Sequence, residues 1–195
     1  RSPYASKHAI RDVRARRQAN LEFLKSCDLE NRETGERIDL ISKVMGSISN
    51  PEIRRMELMN TIAGIERYAA AEGDVGMFIT LTAPSKYHPT RQVGKGESKT
   101  VQLNHGWNDE AFNPKDAQRY LCHIWSLMRT AFKDNDLQVY GLRVVEPHHD
   151  GTPHWHMMLF CNPRQRNQII EIMRRYALKE DGDERGAARN RFQAK

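Results

Sequence analysis

The sequence predicts an α+β fold: a central antiparallel sheet with flanking helices, preceded by a helical N-terminal region. Three observations predict it. Asn50-Pro51, Asn113-Pro114 and Asn162-Pro163 each offer an Asn N-cap followed by Pro at the first helical position. Three segments rich in β-branched and aromatic residues, 76–84, 137–147 and 154–161, lie between or beside those helices. The last two flank Asp150-Gly151, a strong hairpin signal. Helix, strand, helix, hairpin, helix is not the strict alternation of a parallel α/β fold, and it favours an antiparallel sheet.

The elements follow in order. Residues 1–49 read as further helix and loop. The helix from Pro51, "PEIRRMELMNTIAGIERYAAAEG", stops near Gly73, so 1–74 forms the helical N-terminal region and 75–195 the sheet domain. "GMFITLTAP" is the first strand and ends at Pro84. Residues 85–112 are a long polar surface excursion, of a length that is usually functional or disordered. In "PKDAQRYLCHIWSLMRTAFKD", Ala117, Tyr120, Leu121, Ile124, Leu127, Met128 and Ala131 fall on one helical stripe. "LQVYGLRVVEP" and "HWHMMLFC" are the hairpin strands. A last helix starts at Asn162-Pro163 and carries Ile169, Met173, Tyr176 and Ala177 on one side.

Composition narrows the function classes. Hydrophobic residues make up 38% and charged residues 29% of the 195, which suits a globular domain with one core. There is no run of about 18 apolar residues to span a membrane, and the N-terminus has no apolar stretch of the signal-peptide kind. The absence of an initiator Met suggests a fragment or a processed chain. Cys27, Cys122 and Cys161 are far apart and form no C-x-x-C, so neither a thiolate zinc site nor a disulfide scaffold is indicated, and the expected compartment is the cytoplasm. Net charge is +6, and it is concentrated at the ends. Residues 1–25 hold seven Lys or Arg against two acids, and residues 164–195 nine against five. Such ends suit a polyanion partner, with solvated tails as the alternative.

The chemistry lies in "PHHDGTPHWH", which holds four of the eight histidines. On a strand, His154 and His156 project to the same face, with Trp155 opposite. If residue 146 pairs with 154 or 156 across the turn, Glu146 joins them, whereas a one-residue slip would point it away. Two imidazoles and a carboxylate make a plausible catalytic site for Mg²⁺ or Mn²⁺, and mixed N/O ligation also admits Zn²⁺ or Fe²⁺. The alternative is a hairpin whose Glu and His form ordinary hydrogen bonds. His148 and His149 sit in the turn, within possible reach of a substrate phosphate.

"PHWHMMLF" resembles the His-hydrophobic-His motif of the HUH endonucleases, and "FITLTAPSKYHP" resembles their upstream strand motif. With "AQRYLCHIWS" and "VVEPHHDGTPHWHMMLF", the chain looks most like the replication gene A proteins of temperate tailed phages, over roughly residues 50–180. The resemblance implies a sheet of HUH type and an enzyme that initiates rolling-circle replication. Such an enzyme nicks single-stranded or locally melted origin DNA in the bacterial host cell, with a tyrosine becoming joined to the 5′ phosphate. It implies His154 and His156 as metal ligands, Glu146 as the third, Mg²⁺ or Mn²⁺ as cofactor, and a host replication helicase as a partner. Lys86, Tyr87, His88 and Arg91 fit a DNA-binding groove of cations and stacking rings.

One feature departs from the family pattern. Its members carry two tyrosines, separated by three residues, on a helix after the histidine strand. Here the only tyrosine after His156 is Tyr176, on an apolar stripe, and position 180 is Glu. The expectation is an HUH domain lacking its C-terminal tyrosine helix and inactive in nicking, with the nucleophile beyond Lys195 and Tyr176 as the weaker alternative. A competing reading is a non-catalytic single-stranded DNA-binding domain whose His-x-His site is structural or empty.

Overall fold

The structure, a computed structural model, describes residues 6–94, 100–108 and 110–195. The chain divides into two compact units, Arg1–Gly64 and Ile65–Lys195. Residues 1–5 of the basic N-terminal run, and residues 95–99 and 109 of the polar excursion, lie outside the described residues.

The first unit begins with helix α1 (Lys7–Lys25), capped by the Ser6 hydroxyl, which accepts from Ala9 N at 3.1 Å. A short hairpin follows, β1 (Asp28–Glu30) against β2 (Arg37–Asp39). Sequence reasoning expects only helix and loop there. Each strand is three residues long and holds a single apolar residue, Leu29 or Ile38, too short a run to show a period of two. The turn is closed by Gly35 N donating to Asn31 O at 2.8 Å, with Gly35 at φ +69°. Asp39 then caps α2 (Leu40–Met45) by accepting from Ser42 N. Helix α3 (Pro51–Glu72) starts at the expected proline, and the division between the units falls within it.

The second unit holds a four-stranded sheet in the order β6-β7-β3-β8, antiparallel throughout: β3 (Val75–Thr82), β6 (Tyr140–Pro147), β7 (Pro153–Cys161) and β8 (Phe192–Ala194). Helices α4 (Pro114–Asp134) and α5 (Arg166–Ala177) cover one face. The strand period of two sorts the side chains. Met77, Ile79 and Leu81 of β3 and Trp155, Met157 and Leu159 of β7 point to the helices, where they meet Leu121, Ile124 and Met128 of α4 and Ile169 and Met173 of α5. Each of these large side chains contributes about 1.5–3 kcal/mol by leaving water. Trp155 is fully buried, donates from Nε1 to Gln118 Oε1 at 3.0 Å, and lies under the Arg143 guanidinium at 3.8 Å. The alternate residues His154, His156 and Met158 therefore lie on the opposite face.

Asn113 caps α4 in a full capping box with Asp116. Helix α5 starts later than its Asn-Pro signal. The Asn162 side chain accepts from Arg164 N and its carbonyl from Gln165 N, so a turn precedes the helix at Arg166. The excursion also contains structure: a 3₁₀ turn at Ser85–Tyr87 and a separate hairpin of β4 (Thr90–Val93) with β5 (Thr100–Leu103). Its strands, four residues each, are too short to have been read from the sequence.

The last residues are not a solvated basic tail. After a helical turn, α6 (Ala187–Asn190), strand β8 adds to the free edge of β3. Arg191 is only 3% exposed, and its guanidinium donates to the carbonyls of Ala177, Glu180 and Asp181 and to Glu184 Oε2 at 2.8 Å. It satisfies carbonyls left without partners at the end of α5. Removing one member of a buried charged network costs about 3–5 kcal/mol. Arg191→Ala should therefore lower the urea midpoint of the chain strongly, and an unchanged midpoint would exclude this role.

Candidate metal centre

The β6–β7 register sets the centre. Glu146 lies directly opposite His154, and Val144 opposite His156. Directly opposed residues share a face of the sheet, so Glu146 and both histidines point away from the core together. His154 Nε2 and His156 Nε2 are 2.9 Å apart. Glu146 Oε2 is 3.2 Å from His156 Nε2 and 4.0 Å from His154 Nε2. An ion with ligands at about 2.1 Å sets cis donors about 3.0 Å apart in an octahedron and about 3.4 Å apart in a tetrahedron. Two edges of the triangle match. The third, at 4.0 Å, is longer, and it involves the Glu146 side chain, which is 47% exposed. Among the described residues this is the one group of three His, Cys, Asp or Glu side chains whose donor atoms converge in this way.

The electrostatics favour ligation. Burial, and then the neighbouring His156, push the His154 imidazole below its ordinary pKa, and the neutral ring is the ligating form. His148 stacks on His154 with centroids 4.0 Å apart. Burial, followed by the nearness of His154 and His88, lowers its pKa to about 4, so it too is neutral at pH 7. His154 Nδ1 is buried and meets no side-chain or backbone partner at hydrogen-bond geometry, and its ring is stacked on His148 and joined to His156 through Nε2. His156 is held differently. His156 Nδ1 lies 3.0 Å from Thr80 Oγ1, and its ring stacks on Phe78 at 5.4 Å and 18°.

Asp150 pins the rim of the centre. Sequence reasoning identifies it only as a turn residue. Its carboxylate, 4% exposed, accepts from His88 Nδ1 at 3.3 Å, Thr90 Oγ1 at 3.1 Å and Thr152 N at 3.0 Å. Thr152 Oγ1 in turn donates to Tyr87 O, and Asn104 Nδ2 donates to Ser85 O and His88 O. The hairpin turn and the excursion are thereby fastened to each other. Burial alone would raise the Asp150 pKa, but the hydrogen bonds from His88 and Thr152 outweigh it and hold the carboxyl far below the carboxylate range.

The residues expected to contact DNA are mostly engaged elsewhere. Lys86 Nζ is paired with Glu180 and with Asp181, the latter at 3.0 Å. The Tyr87 ring packs on Phe112 and Tyr120. His88 is bound to Asp150 and lies edge-on to His148 at 5.1 Å. Arg91 is exposed on β4, and His149 is exposed in the turn. Tyr176 is half-buried against the core on α5, flanked by Arg175 and Lys179. It is thus on the helical face of the sheet, opposite the three donors.

The profile of the family "Bacteriophage replication gene A protein (GPA)" matches residues 1–195, the whole chain. The chain belongs to the bacteriophage replication gene A protein family. Among its relatives, the replication gene A protein of Escherichia phage 186 is 46% identical over 181 residues, covering 93% of this chain and 25% of the relative. A probable replication protein P12 of Pseudoalteromonas phage PM2 is 40% identical over 197 residues, covering 100% of this chain and 28% of the relative. A probable replication endonuclease from a prophage-like region of Salmonella paratyphi A is 37% identical over 186 residues, covering 95% and 22%. The chain thus spans about a quarter of the length of the curated relatives it matches. No solved structure matches it. Among the described residues, no helix is long and apolar enough to cross a membrane.

The Asp150 network gives a pH-dependent expectation. Hydrogen bonds to a buried charge contribute about 1.5–3 kcal/mol, so Asp150→Ala should destabilise the chain by roughly that amount at pH 7. Because the folded carboxyl is depressed below its ordinary 3.8, this contribution is complete above pH 3.8 and fades as pH falls through the folded value. Urea unfolding of parent and variant should therefore show a gap that narrows on acidification. A gap that is constant from pH 7 to pH 2 would rule out the carboxylate as its source.

Proposed function

We propose that this chain is the metal-binding part of an HUH-type endonuclease, which makes a site-specific nick in single-stranded or locally melted origin DNA to start rolling-circle replication. The carrying observation is the convergence of Glu146 Oε2, His154 Nε2 and His156 Nε2 on the sheet face away from the core. Relatives named as replication endonucleases support DNA as the substrate.

Mg²⁺ or Mn²⁺ held by these three residues would act as a Lewis acid toward a phosphate oxygen. The residues fit that use. Two neutral imidazoles and one carboxylate cancel half the charge of a divalent ion, which leaves a net positive site for a phosphodiester. The exposed flank of Glu146 keeps the site open to a bulky substrate. The β6–β7 register holds the three donors on one face before substrate arrives.

In this reading the nucleophile is not Tyr176. A phenol must come within about 3–3.5 Å of the phosphorus to attack, and Tyr176 is packed on the far side of the sheet. The tyrosine is assigned to a part of the protein outside these 195 residues.

Two measurements test the proposal. Calorimetry should show one Mn²⁺ bound per chain, and His154→Ala and His156→Ala should each weaken binding on the order of a hundredfold, at least the effect of losing an outer-shell partner. Affinity unchanged from the parent in both variants would remove the site. If the chain binds single-stranded DNA equally well in chelator and the whole protein cleaves no strand with or without the ion, the non-catalytic DNA-binding reading wins. Secondly, the 195-residue chain, incubated with Mn²⁺ and its single-stranded origin, should give no covalent protein–DNA band on a denaturing gel. A band that disappears in Tyr176→Phe would make Tyr176 the nucleophile after all.

A further inference from the structure

The two imidazoles of the centre are held by different means, and the difference assigns a role to the upstream strand. In the β3–β7 register Thr80 is directly opposite His156, and Thr82 opposite His154. The pair 80/156 is joined by a hydrogen bond, Thr80 Oγ1 to His156 Nδ1 at 3.0 Å, whereas His154 Nδ1 meets no partner at hydrogen-bond geometry. Phe78, two residues before Thr80 on the same face, lays its ring against the His156 ring at 5.4 Å and 18°.

We propose that Thr80 is a positioning residue that fixes His156 in its Nδ1–H tautomer, leaving the Nε2 lone pair directed at the ion, while the Phe78 ring fixes the plane of the imidazole. A neutral imidazole has one N–H and one lone pair, and which nitrogen carries the proton is set by the partner of the other. A hydroxyl can accept from Nδ1–H, and Thr is held by its β-branch in few χ1 rotamers, so the acceptor stays in place. Without it the ring is free to take the Nε2–H form, which cannot ligate through Nε2. The β3 segment "FITLT" is thereby part of the centre as well as of the core: Ile79 and Leu81 face the helices, and Phe78 and Thr80 face His156.

The inference rests on the metal reading of this site for its purpose, but its test does not need the metal. In the ion-free Glu146→Ala chain, where no carboxylate competes for the proton at Nε2, long-range ¹H–¹⁵N spectra of ¹⁵N-histidine should show the His156 proton on Nδ1. Added to that chain, Thr80→Val, which keeps shape and branching, should move the resonance toward the Nε2–H tautomer. Thr80→Ser should retain the Nδ1–H pattern, and all variants should keep the parent fold by circular dichroism. With Glu146 kept, Mn²⁺ affinity should fall about 10–100-fold in Thr80→Val, the range for loss of a partner behind a ligand, and recover in Thr80→Ser. A His156 protonated on Nε2 in the Glu146→Ala chain, or an unchanged tautomer when Thr80→Val is added to that chain, overturns the proposal. A tautomer that shifts, together with a parent chain that binds no Mn²⁺, would uphold the contact and reject the metal reading instead.

Discussion

Everything at the centre depends on one pairing: Glu146 facing His154 across the β6–β7 ladder. Because side chains alternate along a strand, this single register places a carboxylate and two imidazoles on one face and Trp155 and Met157 in the core on the other. A slip of one residue would exchange the two sets, putting histidines among Leu121 and Met128 and a tryptophan in water. The cost of that exchange is the burial energy of the core face. The hydrophobic face thus enforces the geometry of the polar one, with no strain required at the ligands.

The second constraint is the closure of the turn. Residues 148–152 are held by His148 N donating to Thr152 O and Gly151 N donating to His148 O, with Gly151 at φ +86°, and by the Asp150 carboxylate. Asp150 buries its charge only because three donors meet it, and two of them, His88 and Thr90, come from the excursion. The polar segment after β3 is therefore anchored through side chains at the edge of the centre.

What the sequence made legible, and what it did not, follows from the range of the interactions. The convergence of Glu146, His154 and His156 could be read because they belong to one hairpin, where a period of two and a turn signal determine neighbours. The same holds for α3 and α4, marked by Asn-Pro caps, and for the core stripe of α4. Contacts between distant segments were invisible. Thr80 meets His156 across 76 positions, and His88 meets Asp150 across 62. Lys86 read as a free cation because its partners, Glu180 and Asp181, lie about a hundred residues away. Arg191 read as tail charge because the carbonyls it satisfies appear only once α5 has ended. The hairpins β1–β2 and β4–β5 were missed for another reason: strands of three or four residues are too short to reveal a period of two.

The same separation bears on how the site is built in time. Glu146 and His154 are eight residues apart in one hairpin, a loop that closes in microseconds or less. Thr80 and Phe78 reach His156 only after β3 has docked on β7 with the whole of α4 intervening, and the entropic cost of such closure slows the step. The carboxylate–imidazole pair is therefore a local product of folding, and the support behind His156 a late one. Amide exchange should reflect this order, with the β6–β7 ladder able to survive openings that release β3 and, with it, the grip on one of the two rings.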